Sequence, residues 1–383
     1  MIKKILKTIG IIILVIIVGI NVYVITTGKT YFYKAVRYNF AGVDDYQLFE
    51  NRVLHKSTQP QPWLISRDFN RKPLSDKLEK KLDSLKTFAF LVIKNDSVVY
   101  ESYSDGYSAS SFSNSFSMAK TVVSILIGAA IKDGKIKNID QAVGDFLPDF
   151  NSGGKEKITI KHLLTMSSGL NWDESYASPF SMTTEAYYGS DLPKLMSSLK
   201  AIEEPGKEFN YLSGNTQVLA LILAKATGKH LAEYAEEKLW QPMGAENDAL
   251  WCLDKKGGIE KAYCCLNSNA RDFARLGKLY LQNGNWNGTQ IIDSHYVAES
   301  LKPANVINPM DGKPIDFYGL HWWLMPNVSN TKAFYARGIL GQFVIVVPEY
   351  NIIIVRLGNL KGPKIGEQQS EVYTYIEEVI KLF

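Results

Sequence analysis

The feature that most constrains this chain is an apolar stretch between Ser117 and Lys132 in which Lys120 is the one charged residue. A helix that is apolar on every side is buried inside a sizeable protein. Burial of a lone ammonium group lowers the lysine pKa, because desolvation disfavours the charged form. Ser117 lies one turn before Lys120 on the same face. The stretch therefore predicts a buried helix running to about Ile131, with a serine nucleophile and its lysine base at the N-terminal end.

Ser-x-x-Lys is a weak motif by itself, because the chain contains it four times. Ser152–Lys155 lies in a Gly-rich loop, Ser197–Lys200 in a polar stretch, and Ser329–Lys332 in an Asn/Thr-rich loop. Only Ser117–Lys120 opens an apolar helix, whose dipole and free backbone N–H groups can stabilise a developing negative charge. Sequence context thus selects one match as the candidate site.

The N-terminus carries a candidate membrane segment. Three lysines within residues 1–7 precede an uncharged run of 21 residues, 8–28, dominated by Ile and Val. The run is long enough to cross a bilayer, is longer than a signal-peptide core and lacks an Ala-x-Ala-like cleavage site. We therefore predict a membrane anchor over residues 1–29 that contacts the lipid bilayer through residues 8–28. We expect this anchor to stay attached rather than to be cleaved as a signal peptide. The lysine cluster would stay cytoplasmic, which places the rest of the chain outside.

The order of the remaining elements predicts an α+β fold. Residues 30–74 are expected to form a connector that wraps the domain as loop, because prolines and polar residues interrupt them. Residues 75–383 are expected to form one domain with early strands, a mostly helical middle, late strands and a final helix. The main segments are strands at 88–93, 97–103, 322–325, 343–347 and 352–355, helices and loops over 138–250, and a helix over 371–382. This order favours an antiparallel β-sheet flanked by helices, with a helical insertion.

Composition excludes several function classes. The net charge of +4 without a long basic run beyond the N-terminus gives nucleic-acid binding no support. The five histidines are scattered and no Cys-x-x-Cys spacing occurs, so neither a metal nor a cofactor is expected. Outside the cytoplasm, Cys252 could pair with Cys264 or Cys265, or the cysteines could be small buried thiols.

Three motifs occur in a fixed order: Ser117-Met118-Ala119-Lys120, Tyr211-Leu212-Ser213 and Gly338-Ile339-Leu340-Gly341-Gln342. They resemble the three elements of the serine β-lactamase-like hydrolases, which include class C β-lactamases, DD-peptidases and related esterases. Within that family the chain is most similar to 6-aminohexanoate-dimer hydrolase relatives, which also carry Tyr-x-Ser where class C enzymes carry Tyr-x-Asn. The resemblance covers residues 75 to 383 and implies the β-lactamase/transpeptidase-like fold.

The resemblance also implies roles for individual residues. Ser117 would attack an amide or ester carbonyl, while Lys120 and Tyr211 would act as general base and acid and Ser213 would orient them. The phenol of Tyr211 is expected to lose its proton more easily beside a lysine cation. The backbone N–H groups of Ser117 and Ile339 would form the oxyanion hole.

Other residues are expected to bind substrate. Gly338 would let a strand approach closely. The family's third element usually begins with a basic residue, but Ala336 stands there, which disfavours β-lactam and D-Ala-D-Ala turnover unless Arg337 substitutes. Aromatic residues of the insertion would either line the cleft mouth or belong to the core; they are Trp172, Tyr176, Tyr187 and Tyr188.

Together these features predict a serine hydrolase that acts on a small-molecule amide or ester. It would be a single-pass protein of a bacterial inner (cell) membrane, with the catalytic domain on the periplasmic or extracellular side. Two alternatives stay open at this point: a cell-wall DD-peptidase or β-lactamase, and a catalytically inactive ligand-binding relative.

Overall fold

A computed structural model describes all 383 residues of the chain. Its α-helices are α1 (Ile2–Thr27), α2 (Tyr31–Tyr38), α3 (Asp76–Ser84), α4 (Met118–Lys132), α5 (Ile160–Leu164), α6 (Met182–Tyr188), α7 (Leu192–Ser197), α8 (Ser213–Thr227), α9 (Leu231–Ala235), α10 (Ala270–Leu281), α11 (Ser294–Ser300) and α12 (Ser370–Leu382). The predicted buried helix is confirmed as α4, and the predicted final helix as α12.

The strands form one large sheet, one smaller sheet and two short hairpins. They are β1 (Asn51–Leu54), β2 (Leu64–Ile65), β3 (Thr87–Lys94), β4 (Ser97–Tyr103), β5 (Ser113–Asn114), β6 (Ala249–Cys252), β7 (Leu266–Ser268), β8 (Asn285–Trp286), β9 (Thr289–Gln290), β10 (Trp323–Val328), β11 (Thr331–Gly338), β12 (Gln342–Val347), β13 (Ile352–Gly358), β14 (Lys364–Ile365) and β15 (Gln368–Gln369). The large sheet has the order β10-β11-β12-β13-β3-β4-β2. All of its pairings are antiparallel except that of β2 with β4 at the edge. The predicted fold class is confirmed.

Both faces of the large sheet are covered, which explains why its central strands are continuous apolar runs. Along β12, Val344 and Val346 pack into the core that contains α4, α8 and α10. Their neighbours Phe343 and Ile345 pack on the other face into a second core with α3 and α12. Because successive side chains of a strand alternate between faces, one strand serves both cores. The sheet therefore holds α4 rigidly against β11 and β12.

The segment 30–74 contains more regular structure than its composition predicts. It forms the helix α2, the strand β1, which pairs with β6, and the edge strand β2. Strand β1 belongs to a four-stranded sheet of order β1-β6-β7-β5, which the sequence did not predict. The prolines at 60 and 62 fall in the loop between β1 and β2, so the turn signals themselves are correct.

The N-terminal helix α1 is almost entirely exposed, and of its residues only Val24, near its C-terminal end, is buried. It is long and apolar enough to cross a membrane, although a signal sequence passes the same criterion. It ends where Gly28 adopts a left-handed conformation with φ 70°.

The cysteines follow the predicted alternatives only in part. Cys264 and Cys265 are joined to each other, and Cys252 is a free buried thiol. The alternative of a small buried thiol is confirmed for Cys252. The alternative of a bond from Cys252 to one of the other two is wrong, because strand β6 directs Cys252 towards Asn267, whose side-chain amide donates to its sulfur.

Candidate active site

Ser117 sits at the turn between β5 and the N-terminus of α4. The residue before it, Phe116, has a left-handed backbone with φ 44°, which is unusual for an aromatic residue. The turn is held by Asn114, whose side-chain oxygen accepts from the Phe116 N–H at 2.8 Å, and by Ser115, whose N–H donates to Leu266 at 2.8 Å. This turn places the Ser117 hydroxyl at the wall of a cavity.

Lys120 is buried in the first turn of α4, and its ammonium group has two partners. Its Nζ lies 2.9 Å from Ser117 Oγ and 2.9 Å from the backbone oxygen of Tyr263, to which it donates. Burial lowers the pKa of Lys120 to about 8, with the charge of Arg337 acting in the same direction and that of Glu174 opposing it. The lysine can therefore lose its proton near neutral pH and accept one from Ser117.

Tyr211 completes a cluster around the serine and the lysine. The Lys120 Nζ lies 5.1 Å from the centre of its ring. Burial raises the pKa of the Tyr211 phenol well above its ordinary value, although a hydrogen bond with Ser117 lowers it. The expectation of an easily ionised phenol is therefore wrong at this site: desolvation outweighs the favourable interactions, and Tyr211 stays neutral at working pH.

Ser213 lies beside the cavity but does not contact Lys120 or Tyr211 by a hydrogen bond. Its hydroxyl and its backbone N–H donate to the two carboxylate oxygens of Glu174, each at 2.7 Å, and the Tyr176 hydroxyl donates to the same carboxylate. Glu174 is thus a member of the site that the sequence reasoning missed. The available signal was the acidic pair Asp173-Glu174 between two aromatic residues, Trp172 and Tyr176.

Two backbone N–H groups at the cavity are without acceptors inside the chain, those of Ser117 and Ile339. Strand β11 reaches the serine turn because Gly338 has no side chain. A Cβ at that position would lie 2.3 Å from the backbone oxygen of Ser115. The two residues bearing the N–H groups line the same cavity, as an oxyanion hole requires.

The cavity has two lobes that share Ser117, Tyr176 and Ile339. The first, of about 150 Å³, is mostly apolar. We call it the apolar lobe; besides the shared residues it is lined by Asn39, Phe40, Ala41, Phe116, Thr183, Thr184, Tyr187, Tyr188, Ser213, Tyr263, Cys264 and Leu340.

The second lobe, of about 210 Å³, carries most of the charge. We call it the cationic lobe; its further lining residues are Phe209, Tyr211, Trp323, Arg337, Gly338, Lys361, Lys364, Glu367 and Gln369. The Arg337 guanidinium lies 3.3 Å from the centre of the Trp323 ring and donates to the Glu367 backbone oxygen at 2.8 Å. Three cations against one carboxylate make this lobe suited to an anionic group.

The predicted aromatic residues separate into two groups. Tyr176, Tyr187 and Tyr188 line the apolar lobe. The structure does not bring Trp172 to the cavity: its indole N–H donates to Thr183 at 3.1 Å, and its ring packs against Gly214 in the first turn of α8. No cluster of three potential metal ligands occurs in the structure.

Comparison with known proteins agrees with this geometry. The Beta-lactamase family model matches residues 75–373. The 6-aminohexanoate-dimer hydrolase of Paenarthrobacter ureafaciens is 27% identical over 303 residues, covering 75% of this chain and 76% of that protein. A solved structure of a candidate 6-aminohexanoate-dimer hydrolase from Bacillus anthracis has a TM-score of 0.77 at 24% identity, covering 90% and 93% of the two chains. A family VIII carboxylesterase has the same fold, with a TM-score of 0.62 at 17% identity and coverage of 84% and 99%.

Proposed function

This chain belongs to the Beta-lactamase family, and on that premise we propose that it is a serine hydrolase that cleaves a small amide or ester through an acyl-enzyme on Ser117. One observation carries the proposal: a buried lysine, with its pKa lowered to about 8, lies 2.9 Å from the hydroxyl of Ser117. A serine hydroxyl is a weak nucleophile until an adjacent base removes its proton.

The proposed reaction begins when Ser117 Oγ attacks the carbonyl carbon and its proton passes to Lys120 Nζ. The carbonyl oxygen becomes an oxyanion held by the N–H groups of Ser117 and Ile339. As the tetrahedral intermediate collapses, the bond to the leaving nitrogen or oxygen breaks. The leaving group receives the proton from Lys120 by way of the neutral Tyr211 hydroxyl.

Water then attacks the ester formed on Ser117. Lys120 accepts the proton of the water, the acyl–oxygen bond breaks, and the proton returns to Ser117. In this scheme Ser213 acts on Lys120 through Glu174 rather than by a direct hydrogen bond. We propose that the Glu174 carboxylate, held by Ser213 and Tyr176, adjusts the Lys120 pKa through its charge.

Labelling of Ser117 tests the proposal directly. The full chain in detergent micelles is treated with a fluorophosphonate probe and assayed with p-nitrophenyl acetate. We expect covalent labelling and hydrolysis in the wild type, and neither in Ser117→Ala. Ser329→Ala is the matched control, because it removes the serine of another Ser-x-x-Lys sequence at an exposed site. A wild-type chain that is neither labelled nor active would support the inactive ligand-binding alternative.

The cationic lobe favours a second candidate function, that of a cell-wall DD-peptidase or β-lactamase. Substrates of both enzymes carry a carboxylate, which Arg337 and the two lysines of the lobe could bind. Ala336, in contrast, is fully buried and offers no positive charge. Parallel assays with nitrocefin and p-nitrophenyl acetate separate the candidates, and we expect the ester to be hydrolysed faster.

A further inference from the structure

The wall of the apolar lobe is continuous with the candidate membrane helix. Tyr23, near the end of α1, contacts the Phe180 ring edge-on with the ring centres 5.9 Å apart. The ring of Phe32 in α2 stacks on Phe180 at 5.1 Å, and Lys29 pairs with Glu185 of α6 at 2.9 Å. These contacts join the end of α1 and the start of α2 to Phe180 and to α6, and α6 itself lines the lobe.

Helix α2 has one face on the protein and the other exposed. Its buried residues Tyr31, Phe32 and Ala35 form the inner face, and the helix packs against α6. The outer face carries apolar and basic side chains together: Tyr33, Lys34, Val36 and Arg37 are all exposed. A short helix that directly follows a membrane-spanning segment and has this composition is typical of one that lies in the membrane interface.

The residues that follow α2 form the mouth of the apolar lobe. Asn39, Phe40 and Ala41 line it, and the Phe40 side chain is 74% exposed. Tyr176, on another part of the rim, is 52% exposed. Large aromatic side chains that remain exposed at a pocket mouth mark a surface that contacts an apolar phase or partner.

We propose that α2 lies in the membrane interface and that the apolar lobe takes the acyl chain of an ester or amide held in the bilayer. The proposal rests on the hydrolase function proposed above. The volume of about 150 Å³ encloses an apolar group of roughly the size of benzene. The carbons next to the scissile carbonyl therefore fill the lobe, and the rest of the chain passes Phe40 into the bilayer. The polar part of the lipid faces the cationic lobe.

Two esters of different solubility test this assignment. The full chain is reconstituted into vesicles of phosphatidylcholine and phosphatidylglycerol. It is assayed with p-nitrophenyl acetate, which is soluble in water, and with p-nitrophenyl myristate dissolved in the bilayer. Val36→Asp places a charge on the outer face of α2, away from the cavity lining. Met310→Asp is the matched control, because Met310 is an exposed apolar residue in a loop that lines neither lobe.

We expect Val36→Asp to lower turnover of the myristate ester at least tenfold and to leave acetate turnover within twofold of the wild type. Met310→Asp should change neither. Wild-type kcat/KM should also rise from the acetate to the myristate, which tests the proposal without any variant. A fall along that series, or an equal loss of both activities in Val36→Asp, would overturn it and leave the hydrolase function standing. Absence of Ser117-dependent turnover of both esters would overturn the hydrolase function itself.

Discussion

The pH dependence of ester hydrolysis should report the titration of Lys120. With a pKa of about 8, roughly one lysine in ten is neutral at pH 7. At the ordinary lysine pKa of about 10.4, the neutral fraction would be about 230-fold smaller. The difference corresponds to about 3 kcal/mol of free energy for supplying the neutral base. We therefore expect kcat/KM to rise with pH through about 8 and to level off above it.

Glu174 provides the decisive perturbation, because its negative charge raises the Lys120 pKa. Glu174→Gln removes the charge and should move the midpoint of the kcat/KM profile to lower pH, even if the maximal rate falls. Lys261→Met is the matched control. Lys261 is also buried with a pKa lowered to about 8, but its ammonium donates to the Ala186 backbone oxygen rather than to a serine.

The assay is initial-rate hydrolysis of p-nitrophenyl acetate between pH 6 and pH 10, with the Ser117→Ala rate subtracted at each pH. Lys261→Met should keep the midpoint of the wild type. A wild-type profile that is flat across this range, or a midpoint that moves upwards in Glu174→Gln, would refute the assignment of Lys120 as the base.

Three further predictions concern the stability of the Lys120 variant, the close approach of β11 to the serine turn, and the cysteines. Lys120→Met should abolish hydrolysis yet raise the free energy of unfolding at pH 7, by up to about 3 kcal/mol. Because the pKa of Lys120 is lower in the folded state than in the unfolded state, this gain in stability should shrink as the pH rises from about 8 to the ordinary lysine pKa. Denaturant titrations of both proteins at pH 7 and pH 10 measure the change. Gly338→Ala should lower kcat at least tenfold in a folded protein, because the new methyl group meets the Ser115 backbone oxygen. Gly19→Ala is the control and should leave kcat unchanged, because nothing lies within 4 Å of its new methyl group. A wild-type kcat in Gly338→Ala would contradict the close approach of β11 to the serine turn. Alkylation without reductant should label one cysteine, Cys252, and only after unfolding, because its thiol is buried and burial raises its pKa to about 12. Mass spectrometry counts the labels, and three labelled cysteines would contradict the bond between Cys264 and Cys265.

Local sequence patterns were sufficient for the elements whose burial is uniform along the chain. Helix α4 was predictable because its apolar residues surround a single charge, and the hairpin of β3 and β4 because a turn follows a continuous apolar run. The turn residues Asn95 and Asp96 both have positive φ, as tight turns require. The proximity of Ser117 and Lys120 was predictable for the same reason: a lone charge in an apolar helix is visible without any tertiary information.

Elements that depend on distant partners were not predictable in this way. Strand β11 carries Lys332 and Arg337 among its apolar residues, so it shows no clean apolar run. Strand β1 is a strand because it pairs with β6, nearly 200 residues later. Glu174 belongs to the site through Ser213, 39 positions away, and nothing local distinguishes it from other loop carboxylates. In each case the property that matters is a long-range contact, which periodicity and composition do not report.

The features on which the proposed reaction depends are the ones that stability alone would disfavour. An aromatic residue at φ 44° costs on the order of 1–3 kcal/mol, and desolvation of Lys120 costs a similar amount. Two backbone N–H groups at the cavity have no acceptor in the chain. Each feature supports the others in the proposed mechanism. The turn at Phe116 directs the serine to the lysine, burial lowers the lysine pKa so that part of the lysine is neutral, and the unpaired N–H groups are free to bind an oxyanion. A degenerate relative that had lost turnover would have no reason to keep all three, because Lys120→Met or a relaxed turn would stabilise it. Their joint presence is therefore the strongest structural argument for catalysis over ligand binding alone.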